Sequence, residues 1–133
     1  MKYLLDTNAF IRYLNGTAIG VLNRLRDTSI DDVAVCAVVK AELFYGAAKS
    51  GNPEKTLAKQ IAFLDQITSL PFDDMAAEKY STIRAHLERQ GTPIGPNDLM
   101  IASIALARDL TLVTHNAREF SRVPNLKIED WEI

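Results

Sequence analysis

Tyr3-Leu4-Leu5-Asp6-Thr7-Asn8 is the stretch on which the fold turns. Three apolar residues stop at a carboxylate. Three capping residue types then stand in a row before Phe10, Ile11, Tyr13 and Leu14, which recur at helical spacing. An apolar run this short suits a buried strand, although its period alone does not separate strand from helix. Repetition of the pattern settles the matter. Val33-Ala34-Val35-Cys36 is a second such run and leads into a helix from Val38 to Lys49, and Thr111-Leu112-Val113-Thr114 is a third. Gly16 closes the first helix, and Thr17 is placed to cap a second with Ile19, Leu22 and Leu25 on its apolar face. Pro53 opens a helix through Leu57, Ile61, Leu64 and Ile67. Leu70-Pro71-Phe72 reads as an edge strand, because proline cannot donate to a ladder. Asp73 or Asp74 caps a helix running to Gly91, and the breaker-rich loop 91–97 ends where Asp98 begins an alanine-rich helix. Leu126-Lys127-Ile128 is a last short strand. Short strands alternating with helices predict a three-layer α/β fold, a short central parallel sheet between layers of helices.

Bulk properties agree. The 133 residues fit one domain, 1–133, with no repeat, linker or low-complexity tract. A hydrophobic share of 47% argues against disorder, and a net charge of -2 gives no overall pull toward a polyanion while leaving a local basic face open. Cys36 stands alone, so it forms no internal disulfide and a reducing compartment is expected. No signal-like h-region precedes Asp6 and no apolar run nears the roughly 20 residues of a membrane span. A cytoplasmic protein without membrane contact is the expectation.

Sites in open parallel sheets form beyond the carboxyl ends of the strands. Asp6 ends the first strand, Asn116 follows 111–114, Glu42 lies on the helix after the second strand, and Asp98 opens a helix whose dipole can steady a carboxylate. Convergence of the loops would bring three acids and an amide into one cleft. Grouped carboxylates repel and are costly to bury, and a hard divalent cation, magnesium or manganese, removes that cost. Such centres act on phosphate esters. Each residue also has a plain structural reading: Asp6 and Asp98 as helix caps, Glu42 as a solvated helix position. His86 reads as a surface residue. His115 is better placed, but two histidines so far apart make no metal motif, and Cys36 reads as a buried strand residue. Phosphate-binding, dinucleotide and serine-hydrolase motifs are absent. Among scattered basic residues, Arg12 and Lys40 lie nearest the acids in sequence and are candidates to touch a phosphate backbone.

The order of these motifs resembles the PIN-domain family and, within it, the VapC toxins of bacterial toxin–antitoxin pairs. The matching segments are Leu5-Asp6-Thr7-Asn8, Ala41-Glu42-Leu43, Pro93 to Asp98, Leu112-Val113-Thr114-His115-Asn116, Arg118-Glu119-Phe120 and Ile128-Glu129-Asp130-Trp131. They extend from residue 3 to 131. The resemblance implies an endoribonuclease in which Asp6 and Asp98 bind Mg2+ or Mn2+, and Glu42 is the third acid that orients or deprotonates the attacking water. Thr7 and Asn8 would donate hydrogen bonds to the carboxylates. Many members carry a fourth acid where this chain has Asn116, with Glu119 three residues on to compensate. It further implies cleavage of RNA in a single-stranded loop, commonly a tRNA anticodon loop, and hence inhibition of translation. A homodimer and a cognate VapB-like antitoxin that fills the acidic groove complete the set. Two rivals remain: a PIN-like module that binds RNA or protein without cutting, and a haloacid-dehalogenase-type phosphatase, whose motif requires an acid where Asn8 stands.

Overall fold

The computed structural model describes residues 1–133. Its strands are β1 (Tyr3–Leu5), β2 (Val33–Cys36), β3 (Thr68–Leu70), β4 (Thr111–Val113) and β5 (Ile128–Glu129). The helices are α1 (Thr7–Asn15), α2 (Ile19–Asp27), α3 (Ala37–Ala48), α4 (Pro53–Leu64), α5 (Asp74–Arg89), α6 (Pro96–Ala107) and α7 (Ala117–Phe120). All five strands are parallel, in the order β3-β2-β1-β4-β5, and helices flank the sheet to give an α/β/α sandwich. All four residues of β2 are buried, as are Leu4 and Leu5 of β1 and Leu112 and Val113 of β4. This two-sided burial explains why the strands read as apolar runs without alternation. A continuous hydrophobic core of 29 residues joins the sheet to its helices.

The strand order reverses direction at β1. From β1 the chain moves outward to β2 and β3, then returns to place β4 and β5 on the other side. Loops leaving β1 and β4 therefore diverge, and a crevice opens at their carboxyl ends. In register, Leu5 pairs with Val113 and Val113 with Glu129, so Asp6, Thr114 and Asp130 lie side by side just past the strands.

Several boundaries differ from the sequence reading for identifiable reasons. Thr17 does not cap α2; that helix starts after Ala18 without a side-chain cap, because the Thr17 amide folds back to Arg12 O behind the left-handed Gly16. Consequently Ile19 is exposed and Val21 carries the buried face. Ile67 lies beyond α4. The edge strand β3 ends at Leu70, before Pro71, and the last strand starts at Ile128. α6 begins at Pro96, with proline in the first turn, so Asp98 sits inside that turn instead of capping it.

The carboxyl tail is fixed by aromatic packing. Trp131 is buried, stacks edge-on against Tyr3 at 5.1 Å, lies under the Arg24 guanidinium at 5.0 Å, and donates from Nε1 to Glu129 Oε1 at 3.0 Å. Glu129 also pairs with Arg24 at 2.8 Å. Gly20 of α2 permits this docking, since a Cβ at that position would stand 2.1 Å from the Trp131 carbonyl oxygen. Gly20→Ala should therefore lift the tail from α2 and destabilise the protein by about 1–3 kcal/mol. Urea unfolding followed by fluorescence of Trp131, the single tryptophan, reads this directly; an unchanged midpoint would contradict the packing.

Candidate active site

Asp6 occupies the mouth of the crevice and is only 5% exposed. It is the N-cap of α1: Oδ1 accepts from Ala9 N at 2.8 Å, while its own amide continues the ladder to Val113 O. Thr7 and Asn8 are cap-type residues too, yet the helix uses Asp6. The cap engages Oδ1 and does not itself take up the second oxygen. Burial pushes the Asp6 carboxyl above its ordinary range, opposed by hydrogen bonds from Thr114 and Ala9 and reinforced by the charges of Glu132 and Glu42.

Glu42, half-buried on α3, accepts a 2.6 Å hydrogen bond from Thr7 Oγ1. The adjacent Thr7 thus links the end of β1 to α3 and aims Glu42 at the crevice. Asn8 is exposed and makes no side-chain hydrogen bond to an acid, so the donor role expected for it is not seen. Asp98, in the first turn of α6, is pushed up to about 6, by burial first and then by Glu119, Glu42 and Asp6. The helix dipole that could steady it is outweighed by desolvation and like charge.

The fourth corner is a pair. Asn116 N donates to Thr114 Oγ1 at 2.9 Å, which leaves its side chain to donate from Nδ2 to Glu119 Oε2 at 3.0 Å. Glu119 Oε1 accepts from Gly95 N at 3.1 Å, on the loop that leads to Asp98. Asn116 thus orients an acid, and the charge that Asp98 feels at this corner is that of Glu119.

No lysine or arginine forms an ion pair with Asp6, Glu42, Asp98 or Glu119. Arg12, expected at a phosphate, has Nε 3.3 Å from Glu132 Oε1 instead, and Lys40 is half-buried without an ion pair. Four carboxylates within electrostatic reach, all offering oxygen and lacking a protein cation, are the donor set that a hard divalent ion fits. Cys36 is fully buried with its thiol pushed up to about 11 by desolvation, so it remains an inert core residue.

Beside these acids lies a group the sequence did not disclose. His115 Nδ1 stands 2.9 Å from Asp130 Oδ2 and 3.8 Å from Glu132 Oε2, a cluster able to coordinate a metal ion. His86 takes no part, as expected, and His115 is joined instead by two acids of the carboxyl tail. The signal available in the sequence was an aspartate two residues before Glu132, a spacing at which its carboxylate accepts from the Glu132 amide and closes a turn that holds the two acids together.

Comparison with known proteins places these features in context. The PIN domain family model matches residues 3–126. The "tRNA(fMet)-specific endonuclease VapC" of Salmonella typhimurium is 40% identical over 131 residues, 98% of each chain, and its namesake in Shigella flexneri is 42% identical over the same share. Among solved structures, the DNA-bound VapBC of Salmonella typhimurium aligns with a TM-score of 0.93 at 40% identity, over 98% of each chain. VapBC2 of Rickettsia felis, bound to a DNA fragment from its promoter, gives 0.92 at 38% identity over 98% of this chain and 99% of that one.

The raised Asp98 carboxyl fixes the sign of a pH effect. A folded acid that protonates near 6 when its unfolded counterpart does so near 4 holds an extra proton between those values, so without divalent ions its contribution to stability falls as pH rises from 4 through 6. In chelator at pH 7.5, Asp98→Asn should stabilise the protein by about 1 kcal/mol, screening of a half-buried group included. The gain should vanish near pH 4. Denaturant midpoints across that range test it, and a pH-independent difference would contradict it.

Proposed function

This chain belongs to the PIN-domain family, as a VapC-type ribonuclease toxin of a VapBC toxin–antitoxin system, and on that premise we propose that it hydrolyses RNA phosphodiesters with Mg2+ or Mn2+ at Asp6 and Asp98. The observation that carries this reading is the carboxylate cluster with no protein countercharge. The ion, when bound, polarises the phosphate and makes water acidic enough to attack at neutral pH. Glu42, held by Thr7, orients that water and accepts its proton. Glu119, fixed by Asn116 and the Gly95 amide, completes the oxygen donors and ties the β4–α7 loop to the start of α6. Asn116 acts through Glu119.

Attack by water on phosphorus, with loss of the 3′ oxygen, leaves a 5′-phosphate and a 3′-hydroxyl and does not need the 2′-hydroxyl. The substrate we assign is a tRNA cut in its anticodon loop, where unstacked bases are accessible; similarity to the tRNA(fMet)-specific endonucleases of Salmonella and Shigella supports a tRNA, and such a cut inhibits translation. Partners follow the same logic. VapBC and FitAB complexes among the similar solved structures support a cognate VapB-like antitoxin; the reading extends to an antitoxin segment that covers the acidic groove and to a toxin homodimer.

Asp6→Asn and Asp98→Asn should each lower cleavage in magnesium at least 1,000-fold while far-ultraviolet circular dichroism stays native. Glu119→Gln should cost more activity than Asn116→Ala, because it removes the charge that Asn116 only orients. Mapping 5′ ends of RNA after incubation with antitoxin-free protein provides the readout. Absence of any magnesium- or manganese-dependent cut would leave a binding module in place of a nuclease.

A further inference from the structure

The anchored tail contributes more than packing. We propose that His115, Asp130 and Glu132 form a second cation site, different in ligands from the carboxylate cluster and selective for a borderline transition-metal ion (Zn2+ or Co2+) over Mg2+. Their ligand atoms lie within 4.8 Å of one another. The two distances from His115 Nδ1, 2.9 and 3.8 Å, bracket the roughly 3–3.5 Å that separates neighbouring donors around an ion with bonds of about 2.1 Å.

The donors are arranged in advance. Asp130 Oδ1 accepts from Glu132 N at 2.9 Å, which leaves Oδ2 facing the imidazole. Glu132 engages Arg12 through Oε1, and its other oxygen, Oε2, is buried with no hydrogen-bond partner. At 3.8 Å from His115 Nδ1 it is too distant for a hydrogen bond, and a buried carboxylate oxygen left unpaired is costly. An ion among the three atoms removes that cost. Arg12 offsets one of the two carboxylate charges and leaves the other for the cation. The carboxylates are largely buried, Glu132 at 12% exposed, whereas His115 is 55% exposed, so solvent has access and water can complete the coordination. An imidazole nitrogen favours ions further along the Irving–Williams order, and Mg2+ prefers oxygen alone. Once filled, the site would clip the tail to the β4–α7 loop that carries Asn116, next to Glu119 on α7.

The test uses the full chain, freed of antitoxin and stripped of metal, titrated with Co2+ by calorimetry and visible absorption. The tightest Co2+ component should weaken at least 30-fold in His115→Ala and also weaken in Glu132→Gln, with no change in His86→Ala. Co2+ should raise the melting temperature of the parent protein more than that of His115→Ala. His115 is exposed, so its variant should fold, which circular dichroism verifies. Superimposable isotherms for parent and His115→Ala, an equal loss in His86→Ala, or equal affinity for Mg2+ and Co2+ at this component would overturn the proposal. Because these readouts involve no RNA, their failure is distinguishable from failure of the nuclease reading.

Discussion

Like-charge repulsion among carboxylates that no protein cation neutralises is the constraint around which this molecule is organised. Asp6, Glu42, Asp98 and Glu119 come from four separate segments, and burial together with mutual repulsion holds Asp6 and Asp98 above the ordinary carboxylate range. Such an arrangement opposes folding, so something rigid has to impose it. That role falls to the sheet and its 29-residue core, whose close-packed interior resists the small displacements by which the acids could separate.

Local hydrogen bonds convert this rigidity into aim. Asp6 caps α1 with one oxygen, Thr7 turns outward to Glu42, and Asn116 holds Glu119 against the Gly95 amide. Each acid with such a tether has a defined direction, and the tethers are short in sequence or cross between neighbouring loops. Asp6 caps its helix through Oδ1 alone, since a carboxylate has two oxygens.

The tail adds a second electrostatic element beside the first. Trp131, seated against Tyr3 and over Gly20, whose lack of a side chain leaves room for it, anchors the tail so that Glu132 bears on Asp6 and takes up Arg12. A basic residue that sequence proximity associates with substrate is thereby held by an acid 120 positions away, and long-range pairing outweighs neighbourhood along the chain.

What the sequence determined by itself was the order of elements and which acids stand beside the strand ends. Apolar runs ending at Asp6, Cys36 and Thr114 mark strands buried on both faces, and the motifs around Asp6, Glu42 and Asp98 are read from consecutive residues. Tertiary structure alone decided the rest. It gave the Asn116 amide to Glu119, exposed Asn8, moved Arg12 to Glu132, and joined His115 to Asp130 and Glu132. The physical reason is register. Period and capping act within a few residues, whereas the pairing of β1, β4 and β5 brings positions 6, 114 and 130 side by side, a relation fixed by packing of the whole core and written in no local stretch of chain.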